Sequence, residues 1–270
     1  LLTTICATAL LYVSCSSDNN APAVSTDLTS IGASVAVDTA NEMDLNTSLL
    51  ISTSTSTTGK TAETPPGICA TVTITMPNGG GYPKVFLADF GTAGCKDGNN
   101  LVRKGQLEIT LSGPITETGS KMTIERIDYY INNLKLEGTI EYTNTTSTPS
   151  VPQWTRKVTN GKLTDNSGRV FTSSGTETVK QTAGVDTPYV LEDNVYEMPE
   201  GNHTIISDKG TLTLTVQETL IKKYSCEYIS KGKLKIEGGS LNGVIDYGNN
   251  ACDAQYTYTH QNGAIYNLGM

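Results

Sequence analysis

Six cysteines are the residues of this 270-residue chain best able to do chemistry. Cys69 and Cys95 are 26 apart, and so are Cys226 and Cys252. Sliding the chain by 157 residues superimposes the two cysteine pairs and also lays Asp89-Phe90-Gly91 on Asp246-Tyr247-Gly248, equally far ahead of the second cysteine. Matching spacing and matching Asp-aromatic-Gly elements argue for an internal duplication. None of these cysteines has the close C-x-x-C spacing of a zinc site, so oxidation to disulfides is the favoured chemistry. Four cysteines allow three connectivities, and equivalent units should pair equivalently, which selects Cys69–Cys95 and Cys226–Cys252.

Other candidates have competing structural readings. Asp89 and Asp246 offer two equivalent carboxylates for acid/base work or a cation. Aspartate before aromatic-Gly at a strand end is also a turn former that bonds its own backbone, and that reading is favoured. Asp97-Gly98-Asn99-Asn100 faintly resembles a calcium loop but lacks the regular spacing and the distal Glu. His203 follows the Glu200-Gly201 turn and His260 precedes Asn262-Gly263; both read as exposed strand-end residues outside any H-E-x-x-H pattern. Trp154, Tyr129 and Tyr258 are the ligand-binding candidates, because an exposed aromatic face can stack on a sugar ring; a core role is the alternative. No catalytic residue, metal ligand or cofactor is singled out, and an enzyme is less expected than a binding module.

The elements that must position these residues are strands. The chain contains 41 Thr, 13 Tyr and 26 Gly, a composition suited to pleated surfaces and turns. Leu107, Ile109 and Leu111 alternate with polar residues, as do Leu134, Leu136, Ile140 and Tyr142. Leu212, Leu214 and Val216, then Leu234 and Ile236, repeat the period of two that marks half-wet strands. Asn132-Asn133, Asn160-Gly161, Asn242-Gly243 and Asn262-Gly263 read as hairpin turns, and Asp208-Lys209-Gly210 and Asn166-Ser167-Gly168 as three-residue loops. The expected fold is all-β: an antiparallel meander of about 12 strands forming one extended twisted sheet or a sandwich. It should occupy residues 68–270, with related units at about 68–145 and 220–270 joined by further hairpins.

The front of the chain reads differently. Residues 1–14 look like the apolar end of a signal peptide whose basic start is missing. Ser14-Cys15 resembles a bacterial lipobox, although Tyr12 stands where Leu is usual, so acylation of Cys15 is expected. Residues 15–67 read as a polar, Ser/Thr-rich tether, compatible with a short helix between about Val35 and Leu50. Asp38-Thr39-Ala40 resembles a short O-glycosylation acceptor.

A net charge of −8 and a pI near 4.8 argue against nucleic acid as a partner. The pairs Arg103-Lys104, Arg156-Lys157 and Lys222-Lys223 read as solvated strand positions rather than a basic stripe.

Several stretches carry a family resemblance: Val85 to Gly113, Tyr129 to Asn144, Trp154 to Lys162, Ala183 to Pro188, Lys223 to Cys226 and Asp246 to Asp253. In content and order they resemble a set of lipoproteins from Bacteroidota. The resemblance implies a lipid anchor in the outer membrane and a β fold, and it carries over no catalytic residue.

The leading expectation is a non-enzymatic, surface-exposed envelope lipoprotein that binds a glycan or protein or acts structurally. A periplasm-facing lipid or lipoprotein carrier with a curved sheet is the first alternative, and a carboxylate-dependent hydrolase the second.

Overall fold

The computed structural model describes residues 27–54, 65–98, 100–187 and 190–269, which form one helix followed by fourteen strands. Helix α1 spans Thr29–Ser54. The strands are β1 (Thr71–Thr75), β2 (Lys84–Asp89), β3 (Cys95–Lys96), β4 (Val102–Leu111), β5 (Lys121–Ile131), β6 (Leu134–Asn144) and β7 (Gln153–Thr164). They continue as β8 (Val170–Ala183), β9 (Val195–Ser207), β10 (Gly210–Lys223), β11 (Lys231–Glu237), β12 (Gly243–Asn249), β13 (Gln255–His260) and β14 (Ile265–Gly269). Each strand pairs antiparallel with the next, except that β2 pairs β4 directly and the short β3 flanks β4. The fold is one extended antiparallel sheet.

The expected alternation is present. Leu107, Ile109 and Leu111 on β4 are buried, as are Leu136, Ile140 and Tyr142 on β6, Leu212 and Leu214 on β10, and Leu234 and Ile236 on β11. Along β5, β7 and β9 the buried set changes parity. Met122 and Ile124 give way to Tyr129 and Ile131, Arg156 and Val158 to Leu163, and Tyr196 and Met198 to His203 and Ile205. A register shift lies at each change, with one extra residue on the bulged strand. Asn160-Gly161 is the middle one of these bulges, not a hairpin turn: Asn160 has φ 52° in mid-strand. Gly138 stands opposite with φ +103°, where a Cβ would come 2.6 Å from the Asn160 carbonyl oxygen.

The larger correction concerns the tether. Thr29–Ser54, read as part of it, is a 26-residue helix, and most of its residues from Ser30 to Ser48 are buried. Ile31, Val35, Val37, Ala40 and Leu45 are buried, but so are Ser34, Asp38, Asn41, Glu42, Asp44 and Ser48. Gly32, Ala36, Met43, Asn46 and Leu50, along one stripe, are only half-buried, and burial of the rest of the circumference against one sheet requires the sheet to curl around the helix. The 14 residues of β8 or β10 extend about 46 Å, enough to cover the roughly 39 Å of α1. Hydroxyls are tolerated there because they bond the preceding turn: Thr47 to the Met43 carbonyl at 2.9 Å, Ser48 to Asp44 at 2.7 Å and Thr53 to Leu49 at 2.7 Å. Asp27 accepts the Thr29 N–H at 3.0 Å and caps the start. Asp38, Thr39 and Ala40 are buried in α1, which is not the setting of a glycosylation acceptor. Residues 1–14, expected to be part of a signal peptide, the acylation candidate Cys15 and residues 55–64 lie outside the described residues.

Both disulfides have the expected connectivity, with Cα separations of 5.9 Å for Cys69–Cys95 and 5.2 Å for Cys226–Cys252. Each staples a hairpin, β1–β2 near one edge and β11–β12 towards the other. Asp89 and Asp246 each accept the N–H of the glycine two residues on, Gly91 and Gly248, at 2.8 Å. Asp89 does so at the end of β2 and Asp246 at a bulge inside β12, both bonding their own backbone in equivalent places. Replacing either cysteine pair by alanine should cost about 3 kcal/mol, read as a lower urea midpoint at unchanged slope. An unmoved midpoint would show that the staple contributes nothing.

Candidate functional site

Three acidic residues and no basic ones lie on α1, and the sheet supplies their partners. Towards the end of the helix, Asp44 accepts from Arg103 Nη2 at 2.9 Å, Arg126 Nε at 2.8 Å and the Tyr129 hydroxyl at 2.7 Å. Arg103 also donates to Thr47 at 2.6 Å and stacks 4.5 Å over the Phe90 ring, while Arg126 reaches Asn41 at 2.9 Å. The β5 bulge turns Tyr129 into this cluster. Burial first, then Asp44, pushes its hydroxyl well above the ordinary range despite Arg103, so it remains a donor.

One turn earlier, Arg156 on β7 donates to Glu42 of α1 and to Glu177 of β8. His203 on β9 lies between two carboxylates: Nε2 is 3.6 Å from Asp38 Oδ2, and Nδ1 is 3.5 Å from Glu177 Oε1. Ser34 Oγ is 3.3 Å from Nε2. Burial, the largest influence, raises Asp38 to about 6, with His203 opposing it. Burial also works against Glu177, but Arg156 and His203 outweigh it and hold this carboxyl low. For His203 burial is outweighed by Asp38 and Glu177, and its value rises. A cavity of about 10 Å³, room for one water, lies among Val37, Asp38, Arg156, Ser173, Glu177 and His203.

No family model, curated protein or solved structure matches the chain. The site therefore stands on its own geometry. Its buried charges occupy the seam between helix and sheet, where they fix the placement of α1. Asp38, Glu177 and His203 are the described residues grouped closely enough to hold a metal ion.

The sequence placed several of these residues differently. His203 is not an exposed strand end: it is 7% exposed, turned inward by the bulge around Pro199. Arg103, Arg156 and Lys222, read as solvated, are all buried. Lys222 donates to the Lys223 and Cys226 carbonyls, and burial lowers it to about 8. Of the aromatic candidates, Tyr129 and Tyr258 are fully buried, so neither offers a ring face to a ligand. Trp154 is half-buried, donating from Nε1 to the Ile115 carbonyl at 3.1 Å. His260 does stand at its turn, with Nε2 2.7 Å from the Ser240 carbonyl.

Gly175 makes room for His203. The two are paired across β8 and β9, and a Cβ on Gly175 would lie 2.4 Å from His203 Cβ and 2.5 Å from the Asn202 carbonyl oxygen. Gly175→Ala should destabilise by about 1–3 kcal/mol. A denaturant midpoint equal to the parent's would mean the strands can part without cost.

Proposed function

We propose that the chain is a non-enzymatic envelope lipoprotein, anchored through Cys15 in the outer membrane, whose sheet presents its outer face to a glycan or protein. The observation that carries this reading is α1 filling the inner face of the sheet. What remains for contact is the outer face, which carries exposed and half-exposed ion pairs such as Lys121–Glu141, Lys162–Glu137 and Lys233–Glu218. The two hairpins stapled alike near opposite ends suit a duplicated scaffold. A carrier would need α1 to vacate the inner face before acyl chains could enter. A hydrolase would need carboxylates in an open cleft, whereas Asp38, Glu42 and Glu177 are at most 5% exposed.

Protease treatment of intact cells tests the reading, with a periplasmic marker as control. Loss of the protein while the marker survives is the expected result, and glycan and protein screens on the purified chain then follow. Protection until lysis would overturn surface display and favour the carrier.

A further inference from the structure

The Arg156 cluster has more negative than positive formal charge. Asp38, Glu42 and Glu177 face a single guanidinium, an excess of two when His203 is neutral. Two atoms in it are buried without a hydrogen-bond partner, Asp38 Oδ2 and His203 Nδ1. Their residues are 4% and 7% exposed.

We propose that Asp38, Glu177 and His203 bind a divalent first-row transition-metal ion, with a water in the adjoining cavity as a fourth ligand. One candidate ligand atom from each residue lies within 4.8 Å of the others. A tetrahedral site with bonds of about 2.0–2.2 Å sets its ligands about 3.4 Å apart, so the three groups need draw in by little more than 1 Å. The remaining atoms are already engaged as such a site requires. Ser34 Oγ is 3.3 Å from His203 Nε2, which also faces Asp38 Oδ2 at 3.6 Å, while Nδ1 has no hydrogen-bond partner and is left for the ion. Arg156 takes Glu177 Oε2, leaving Oε1 3.5 Å from Nδ1. Partners behind the ligands are what fix a metal-bound imidazole and carboxylate. One imidazole with two carboxylates in a tetrahedral arrangement suits Zn²⁺, whereas Mn²⁺ prefers six ligands and serves as the contrast. The cavity, about one water in volume, adjoins all three residues. The ligands come from α1, β8 and β9, so the site is complete only when the helix is seated.

The competing occupant is protons: an imidazolium on His203 and a neutral Asp38 satisfy the same charge excess. The full chain is therefore unfolded in chelator and refolded with or without Zn²⁺, and in parallel with Mn²⁺. Bound metal is then measured after gel filtration, together with Tm. The expected result is one ion per chain and a Tm raised by it. Ser34→Ala should weaken binding by about 10–100-fold, the usual cost of losing a partner behind a ligand. Asp38→Asn and His203→Gln should abolish stoichiometric binding, while the exposed Glu200→Gln retains it. If the ligand variants fail to fold, Co²⁺ bound to the parent chain reports the site: its visible bands should be those of tetrahedral nitrogen and oxygen ligation. Substoichiometric metal with an unchanged Tm would overturn the proposal and leave the protons in place. Equal binding by the parent and all variants, or octahedral Co²⁺ bands, would overturn it by placing the ion elsewhere.

Discussion

A chain that begins at Pro65 will not unfold cooperatively. Removing α1 uncovers the inner faces of the strands and takes Ile31, Val35, Val37, Leu45 and Ile51 out of the core. Full burial of such side chains is worth about 1.5–3 kcal/mol each, and domains are stable by only about 5–15 kcal/mol in all. The deletion also leaves Arg103, Arg126 and Arg156 without Asp44 and Glu42 in the interior. The expected product keeps strand content but has a broad transition and binds a hydrophobic dye. Denaturant unfolding, compared with a chain that starts at Asp27, is the measurement. A sharp transition at the same midpoint would mean that α1 is a passenger of the sheet.

Replacing Arg156 by methionine should cost about 3–5 kcal/mol, the usual penalty for stripping one partner from a buried ion pair. The guanidinium bridges Glu42 and Glu177, and although burial opposes its charge, Glu177 and Glu42 hold its proton well above the ordinary range. Methionine fills similar space, so the cost arises from two buried carboxylates losing their shared cation. Glu42→Gln in the same chain should restore part of the loss, because it removes one of those charges. A cycle of the two single variants and the double variant isolates the coupling. Independent, additive effects would show that water, rather than protein, balances these carboxylates.

The strands were legible because one wet face and one dry face impose a period of two. Leu107 to Leu111 and Leu234 to Ile236 express it without interruption. The cysteines were legible too, since their equal spacing chose one pairing from three. The helix was not. A segment whose buried faces mix charges and hydroxyls with apolar residues has no clean apolar stripe, and one whose hydroxyls bond its own carbonyls reads as a polar linker. The site was hidden by bulges: His203 faces inward only because β9 changes parity near Pro199, and Asn160-Gly161 looks like a turn in any sequence. One clue was present. Asp38, Glu42 and Asp44 lie in a stretch without Lys or Arg, while single arginines recur in strands that otherwise read as half-apolar.

The helix that completes the interior is the first described element in the chain, and its partners come far behind it. Ser34 meets His203 across 169 residues, and Ser30 meets Ser207 across 177. Synthesis proceeds from the N-terminus, so α1 exists while most of its enclosure is still unmade. Strands can zip to their neighbours in sequence order, each a short-range step, yet the closing event must wait until β10 and Tyr224 emerge. Until then the growing sheet shows its apolar side to the surroundings, a state prone to sticking. Contacts that form late in synthesis thus belong to an element made early, and interruption before about residue 224 leaves α1 without part of its socket.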